Sequence, residues 1–280
     1  SGHDQIPSED GARRHSVLIP WSDLFEGVTP LLHTDANFAN LETVITSRTN
    51  LVPTEKAFNF ISHPAALGAL SAAGIDVLTA ANNHAADFGA DGIRETISYL
   101  NASTLKAYAG LGVGDGRFTP AIFQAHDTEI AVAAIGIGIN PTGPSGPGQP
   151  LYASAPDFSR VTSALRNAEA DIRVLSVHYG RELDVLPSGP DRERLRTAAD
   201  DGDASIVFGH HTHVPSGVEM RNGNIIFYGL GNFMHVGTQN MSQYGVCRDF
   251  GIYAKVYIWV RHGAPPVIRA AEVFPVTGMH

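Results

Sequence analysis

The chain has 280 residues, of which 43% are hydrophobic and 17% charged, and a formal net charge of −9 at pH 7. That composition is ordinary for a globular protein with a sizeable core. The acidic balance, without a Lys/Arg block, argues against nucleic acid or an anionic membrane as the main partner. A single cysteine, Cys247, excludes an internal disulfide and any multi-cysteine zinc site. No apolar run reaches the roughly 18 residues needed to span a bilayer.

Ser1 to Arg14 is polar and carries no signal-peptide core, and the first apolar stretch is only Val17 to Pro20. An α/β enzyme usually opens on a buried strand, so a segment upstream of Ser1 is expected. The compartment stays open: cytoplasmic, or exported with a signal or anchor outside this chain. His63-Pro64 predicts a helix running to about Ala73, because proline suits the first helical turn and Gly74 the position after the last. Ile75 to Ala81 reads as a buried strand ending in Asn82-Asn83-His84. Asp91 is expected to cap a second helix through Leu100, with Ile93, Ile97 and Leu100 on one face.

Ala121 to Phe123 and Ile130 to Ile137 read as paired strands, and the Gly/Pro-rich stretch Asn140 to Pro150 as a surface loop. Asp157 to Ala168 is a predicted helix. Ile172 to Val177 is a buried strand ending in His178-Tyr179-Gly180. Pro190 to Asp200 is helical, with Leu195, Ala198 and Ala199 available for packing. Ala204 to Phe208 leads into Gly209-His210-His211-Thr212-His213, and Asn224 to Tyr228 is followed by Gly229-Leu230-Gly231-Asn232-Phe233. Phe250 to Val260 is a long strand of period two. Apolar runs alternating with amphipathic ones predict one α/β domain over residues 1–280, without internal repeats.

Three buried strands therefore end in ligand-type residues: Asn83-His84, His178, and the His210/His211/His213 cluster. In open α/β sheets, sites gather beyond the carboxyl ends of strands, so these ends can meet. Taken singly, each residue has a plainer explanation. A histidine cluster can be a solvated turn, Asn83 a left-handed turn residue, His178 a satisfied core histidine, and Glu42 a surface carboxylate. Together they supply a carboxylate, an amide oxygen and several imidazoles, a set that suits Zn, Mn, Fe or Ni better than Ca or Mg. Such ions bring the pKa of a bound water from about 15.7 towards 7, and a free histidine nearby can protonate a leaving group. His15, His33, His126, His262 and His280 read as surface residues. Arg48, Arg181 and Arg248 are either anion binders or ordinary surface cations.

The chain resembles the bacterial capsule-synthesis (CapA-like, poly-γ-glutamate) family of the calcineurin-like metallophosphoesterase superfamily. The matching stretches are Asn40-Leu41-Glu42, Phe58-Asn59-Phe60 with His63-Pro64, and Ala81-Asn82-Asn83-His84 with Asp87 and Gly89. Further on they are Val177-His178-Tyr179-Gly180 with Glu182, Gly209-His210-His211-Thr212-His213, and Tyr228-Gly229-Leu230-Gly231-Asn232-Phe233. The resemblance implies an α/β fold of two packed mixed β-sheets flanked by helices, a four-layer αββα arrangement. It implies two divalent transition-metal ions (Mn, Zn or Fe), with Glu42 bridging, Asn83 and His178 on the second ion, and His211 and His213 divided between the two. His84 matches the superfamily's catalytic histidine, with Asp87 as its orienting partner. His211-Thr212-His213 gives the expected His-x-His spacing, which favours His211 over His210.

One departure stands out. The family opens on a strand ending in Gly-Asp, whose aspartate ligates the first ion, and no such strand precedes Asn40. The aspartate is expected a few residues before Ser1; otherwise the first position is lost or filled by His3 or Asp4. The implied activity is hydrolysis of a phosphoester or γ-glutamyl-type amide by a metal-bound hydroxide, with a small-molecule, polymer or peptide substrate. A metal-assisted acid/base enzyme such as a peptide epimerase, and a non-catalytic part of a polymer synthesis or export complex, are the alternatives.

Overall fold

The computed structural model of the chain describes residues 7–14, 17–137, 151–152, 155–236, 241–245, 248–261 and 263–278. The expected loop at 140–150, together with His3, Asp4, His15, Cys247, His262 and His280, lies outside them. The chain opens on a short antiparallel hairpin, β1 (Gly11–Arg14) and β2 (Val17–Pro20). There follow β3 (Phe38–Asn40), β4 (Val44–Ile45), β5 (Ile61–Ser62), α1 (Ala65–Ala73), β6 (Val77–Thr79), α2 (Gly89–Asn101) and β7 (Ala107–Ala109). The second half runs β8 (Ala121–Ala125), β9 (Thr128–Ile137), β10 (Leu151–Tyr152), α3 (Ala155–Arg166) and β11 (Ile172–His178). It continues with α4 (Gly189–Gly202), β12 (Ile206–His210), β13 (Val218–Arg221), β14 (Asn224–Phe227) and the long hairpin β15 (Gly251–Arg261) and β16 (Ala264–Val276).

The large sheet has the order β10-β9-β11-β12-β14-β13, with β8 antiparallel to β9; β9, β11, β12 and β14 are mutually parallel. A smaller parallel sheet has the order β3-β6-β7. Period-two alternation sorts the side chains into layers. On β9, Ile130, Val132 and Ala134 face one way and Ala131, Ala133 and Ile135 the other. The first set packs against Val77, Ala81 and Ala109 of the small-sheet region. The second packs against Val161 and Leu165 of α3 and Leu195 and Ala198 of α4. Leu78 of β6 turns instead to Leu67 and Leu70 of α1 and Ile93 and Leu100 of α2. The order of layers is helices, small sheet, large sheet, helices: the expected four-layer αββα fold.

Buried Thr79 Oγ1 and Ser176 Oγ lie 2.9 Å apart, tying the end of β6 to the end of β11 across the two sheets. The carboxyl ends of both sheets therefore open on the same side, which is where the site forms. Within the described residues β3 pairs only with β6, and β15 only with β16. Between these two unpaired edges runs a cavity of about 740 Å³, lined by 34–43 of the β3 segment, by Ile252 to Ile258 of β15, and at one end by Glu42, His211 and His213. With strands about 4.8 Å apart, layers about 10 Å apart and about 3.3 Å per residue, one strand residue fills about 160 Å³, so the slot has the size of about five strand residues.

Several expected boundaries shift. The first helix begins at Ala65 and closes at Gly74, whose φ of 106° is the left-handed conformation that favours glycine. The strand expected over Ile75 to Ala81 is paired only over Val77–Thr79. Asp91 does not cap the second helix: α2 starts at Gly89 with Phe88 at its N-cap, and Asp91 lies in the first turn, paired with Arg94. β16 is not anticipated by the sequence reading, whereas Ser188, whose hydroxyl accepts from Asp191 N–H, caps α4. No helix among the described residues is long and apolar enough to cross a membrane.

Candidate metal centre

Glu42 follows β3 by two residues. Asn40 Nδ2 donates to Glu42 Oε2 at 3.2 Å, which turns Oε1 away from β3; that atom is buried and makes no hydrogen bond. His178, the last residue of β11 and 1% exposed, places Nε2 3.2 Å from Glu42 Oε1 and 2.8 Å from Asn83 Oδ1. His211 leaves β12 in the left-handed region at φ 88°, His213 at φ 59°. Such backbone is uncommon for a side chain with a Cβ, and it swings His211 inward. Ligand atoms of Glu42, His178 and His211 all lie within 4.8 Å of one another. His210 is outside that group, its ring edge-on to Phe208 at 5.1 Å.

The electrostatics favour metal binding over charge storage. Burial pushes the Glu42 carboxyl up, but the imidazoles of His178, His213 and His84 outweigh it and hold Glu42 well below the usual carboxylate range. Burial, reinforced by His178, lowers His210 and His211 to about 3. Burial and His213 lower His235 to about 4. An ionised Glu42 and a neutral His211 are the protonation states that metal ligands need. The orphaned buried atoms are the test of fit. Glu42 Oε1, His178 Nδ1, His210 Nε2 and His211 Nδ1 have no hydrogen-bond partner, a cost that stable proteins rarely leave uncompensated. The donor set and its burial fit a divalent transition-metal ion.

His213 and His84 flank this group. His213 Nδ1 lies 2.8 Å from Asn232 Oδ1, and its ring is 6.3 Å from that of His211 and 5.5 Å from that of His235. His84 is buried, its Nδ1 2.8 Å from Asp87 Oδ2. Lys56 Nζ ion-pairs with Asp87 Oδ1 and donates to the Asn83 carbonyl at 2.9 Å. Phe60 stacks on the His84 ring at 4.1 Å.

Sequence reasoning passed over several contributors. Lys56 carries no pattern signal. Asn82, wholly buried, donates to the Leu41 carbonyl at 2.7 Å and accepts from His84 N–H at 3.1 Å, stapling the Glu42 turn to the Asn83-His84 turn. Asn232 and His235 follow β14; Asn232 belongs to a stretch that carries the family resemblance, but the sequence assigns neither residue a role. The three arginines considered as anion binders are engaged locally: Arg48 with Asn50, Arg181 with Asp184, and Arg248 with the Leu183 carbonyl. His33 and His126 are exposed, as expected.

Comparison with known proteins agrees with this architecture. The family described as bacterial capsule synthesis protein PGA_cap matches residues 3–236. The chain is 29% identical over 221 residues to the PGA biosynthesis protein CapA of Bacillus subtilis (strain 168), covering 75% of this chain and 56% of that protein. It is 30% identical over 224 residues to the capsule biosynthesis protein CapA of Bacillus anthracis, covering 75% and 53%. The chain thus spans about half the length of the curated relatives it matches. A solved structure of a hypothetical protein from Thermus thermophilus has the same fold, with a TM-score of 0.55 and 15% identity over 91% of this chain and 94% of that one. The match takes in every ligand-type residue from Glu42 to His235, and the chain belongs to the bacterial capsule synthesis (PGA_cap) family.

Proposed function

We propose that the chain is a metal-dependent hydrolase of the metallophosphoesterase type, serving capsule or poly-γ-glutamate synthesis or processing and acting on a phosphoester or a γ-glutamyl-type amide. What carries this is the convergence of Glu42, His178 and His211 beyond the strand ends, with Asn83 Oδ1 2.8 Å from His178 Nε2 and buried nitrogens of His178 and His211 left without a hydrogen-bond partner. Glu42, Asn83, His178 and His211, with His213 beside them, would hold two ions of Mn, Zn or Fe. When bound, such ions lower the pKa of a coordinated water and polarise the bond to be broken.

The chain's own residues supply the rest. Asp87 engages His84 Nδ1, which leaves Nε2 as the atom that carries a proton to the leaving group. Asn40 and Asn82 keep the carboxylate and amide ligands facing each other. The slot between β3 and β15 has the size of one strand, and we read it as the seat of the expected first strand, whose Gly-Asp would add a carboxylate at the first ion.

The test is metal analysis with manganese and zinc, followed by hydrolysis of an aryl phosphate and of a γ-glutamyl anilide. Binding of at least one ion per chain is expected, lost in Glu42→Gln and in His211→Ala together with hydrolysis. Metal content near zero, or metal unaffected by both substitutions, sinks the proposal. Metal bound without hydrolysis, but with deuterium exchange at a peptide Cα, would replace it with an epimerase.

A further inference from the structure

The segment 54–60 wraps the turn that carries Asn83 and His84. Thr54 N–H donates to the Asp87 carbonyl at 2.8 Å and Phe60 N–H to Asp87 Oδ2 at 2.5 Å. The Phe60 ring covers one face of the His84 imidazole. Lys56 lies at the centre of this wrap. Its ammonium pairs with Asp87 Oδ1, donates to the Asn83 carbonyl and sits 3.3 Å from His84 Nδ1.

The pairing differs from a surface salt bridge. The Asp87 side chain is 0% exposed and that of Lys56 11%. A buried carboxylate demands a cation, and removing one partner is strongly destabilising to the local geometry. Asp87 Oδ2 is already taken by Phe60 N–H and His84 Nδ1, so Oδ1 is left to the ammonium. The second donor of that ammonium goes to the carbonyl of the peptide joining Asn83 to His84. On one side of that peptide is an amide oxygen 2.8 Å from His178 Nε2. On the other is the imidazole held by Asp87.

We propose that Lys56 is a positioning residue of this site: gripped by Asp87 and the Asn83 carbonyl, its ammonium fixes the Asn83–His84 peptide so that Asn83 Oδ1 and His84 Nε2 serve the same centre. The use made of His84 rests on the hydrolase reading; the positioning does not. A neutral side chain of equal length fills the space but leaves the carboxylate unpaired and the carbonyl unbonded.

The test uses Lys56→Met, and Lys56→Cys in a Cys247→Ser background before and after aminoethylation, which rebuilds an ammonium at nearly the native reach. In metal-free protein with ¹⁵N-labelled histidine, the His84 Nδ1–H resonance, assigned by its loss in His84→Asn, should be protected from solvent exchange. Lys56→Met and Lys56→Cys should lose that protection and about 10- to 100-fold in metal affinity and turnover, and aminoethylation should restore both. If Lys56→Met does not fold, the Cys protein before and after aminoethylation carries the comparison. Retention of the protected resonance and of wild-type metal affinity without the ammonium overturns the proposal, as does failure of aminoethylation to restore them. Metal that survives Glu42→Gln and His211→Ala sinks the hydrolase reading alone, because the exchange measurement needs no metal.

Discussion

Acidifying the metal-free protein from pH 7 to 5.5 should cost about 4 kcal/mol of stability. Burial holds His210 and His211 at about 3 and His235 at about 4, against 6.5 for an unperturbed imidazole. These are lowered values, so below about pH 6.5 the unfolded chain takes up protons that the folded protein refuses. Stability is thus intact near pH 7 and falls as the pH drops through the window from 6.5 towards 4. At pH 5.5 about nine-tenths of each unfolded imidazole is charged, which gives about 1.3 kcal/mol apiece relative to pH 7 and about 4 kcal/mol for the three. Glu42 adds nothing in this window: its folded carboxyl is lowered, so its contribution is lost only below the unfolded value of 4.5. Urea unfolding in EDTA at the two pH values reads the effect directly. At a typical slope of about 1–3 kcal/mol per molar, the midpoint should fall by more than about 1 M. His211→Asn should remove about a third of the pH dependence. Equal midpoints at pH 7 and 5.5 would refute the claim that these imidazoles are held neutral by burial.

Two further substitutions probe how the fold presents the site. A Cβ at Gly209 would lie 2.6 Å from the Tyr228 carbonyl oxygen and 2.7 Å from Tyr179 Cε1. That carbonyl is also fixed by the Tyr179 hydroxyl at 2.6 Å. Gly209→Ala should therefore destabilise by about 1–3 kcal/mol and weaken metal binding through the adjoining histidine turn; wild-type thermal unfolding would contradict this. Thr79→Val strands the buried Ser176 hydroxyl at a cost of about 1–3 kcal/mol, part of which the double variant Thr79→Val/Ser176→Ala should recover. Strictly additive effects in a double-mutant cycle would deny that this contact couples the two sheets.

The site was more legible in the sequence than its supports were, and the reason is geometric. β6, β11 and β12 are short apolar runs whose ends fall at or within a few residues of Asn83, His178 and His211, so chemistry and strand end are read together. Lys56 and Phe60 reach Asp87 and His84 across 24 to 31 positions, from a segment without regular secondary structure. No period or spacing encodes such a contact. β16 escaped because it is exposed along nearly its whole length and carries Pro265, Pro266 and Pro275, so neither alternation nor strand propensity marks it. Asp91 misled because an acidic residue one turn into a helix looks like a cap. The turn at 82–88 instead delivers the chain into α2 at Gly89, whose φ of 60° a residue with a Cβ seldom adopts.

The costs gathered at this one place argue for what the place is for. His211 and His213 both hold left-handed backbone, and His178 and His211 each keep a buried Nδ1 without a hydrogen-bond partner. Three imidazoles within the field of Glu42 are held neutral by burial. Left-handed backbone at residues with a Cβ and unpaired buried polar atoms each cost on the order of 1–3 kcal/mol, which is large against a total stability of about 5–15 kcal/mol. A packed core could relieve each of them by a conservative substitution: glycine for the strained histidines, glutamine for the carboxylate, phenylalanine for an imidazole. In the proposed site such a change at Glu42, His211 or His213 would remove a ligand atom. The Asn40, Asn82 and Lys56 contacts point the same way, because they consume polar groups to fix the orientation of residues that contribute little packing of their own. A ligand that binds only the folded state stabilises it by about 2.7 kcal/mol at a hundredfold excess over its dissociation constant. That is the scale of one or two of these penalties, so an ion of the kind proposed would offset costs at the carboxyl ends of β3, β6, β11 and β12 that the apolar core leaves standing.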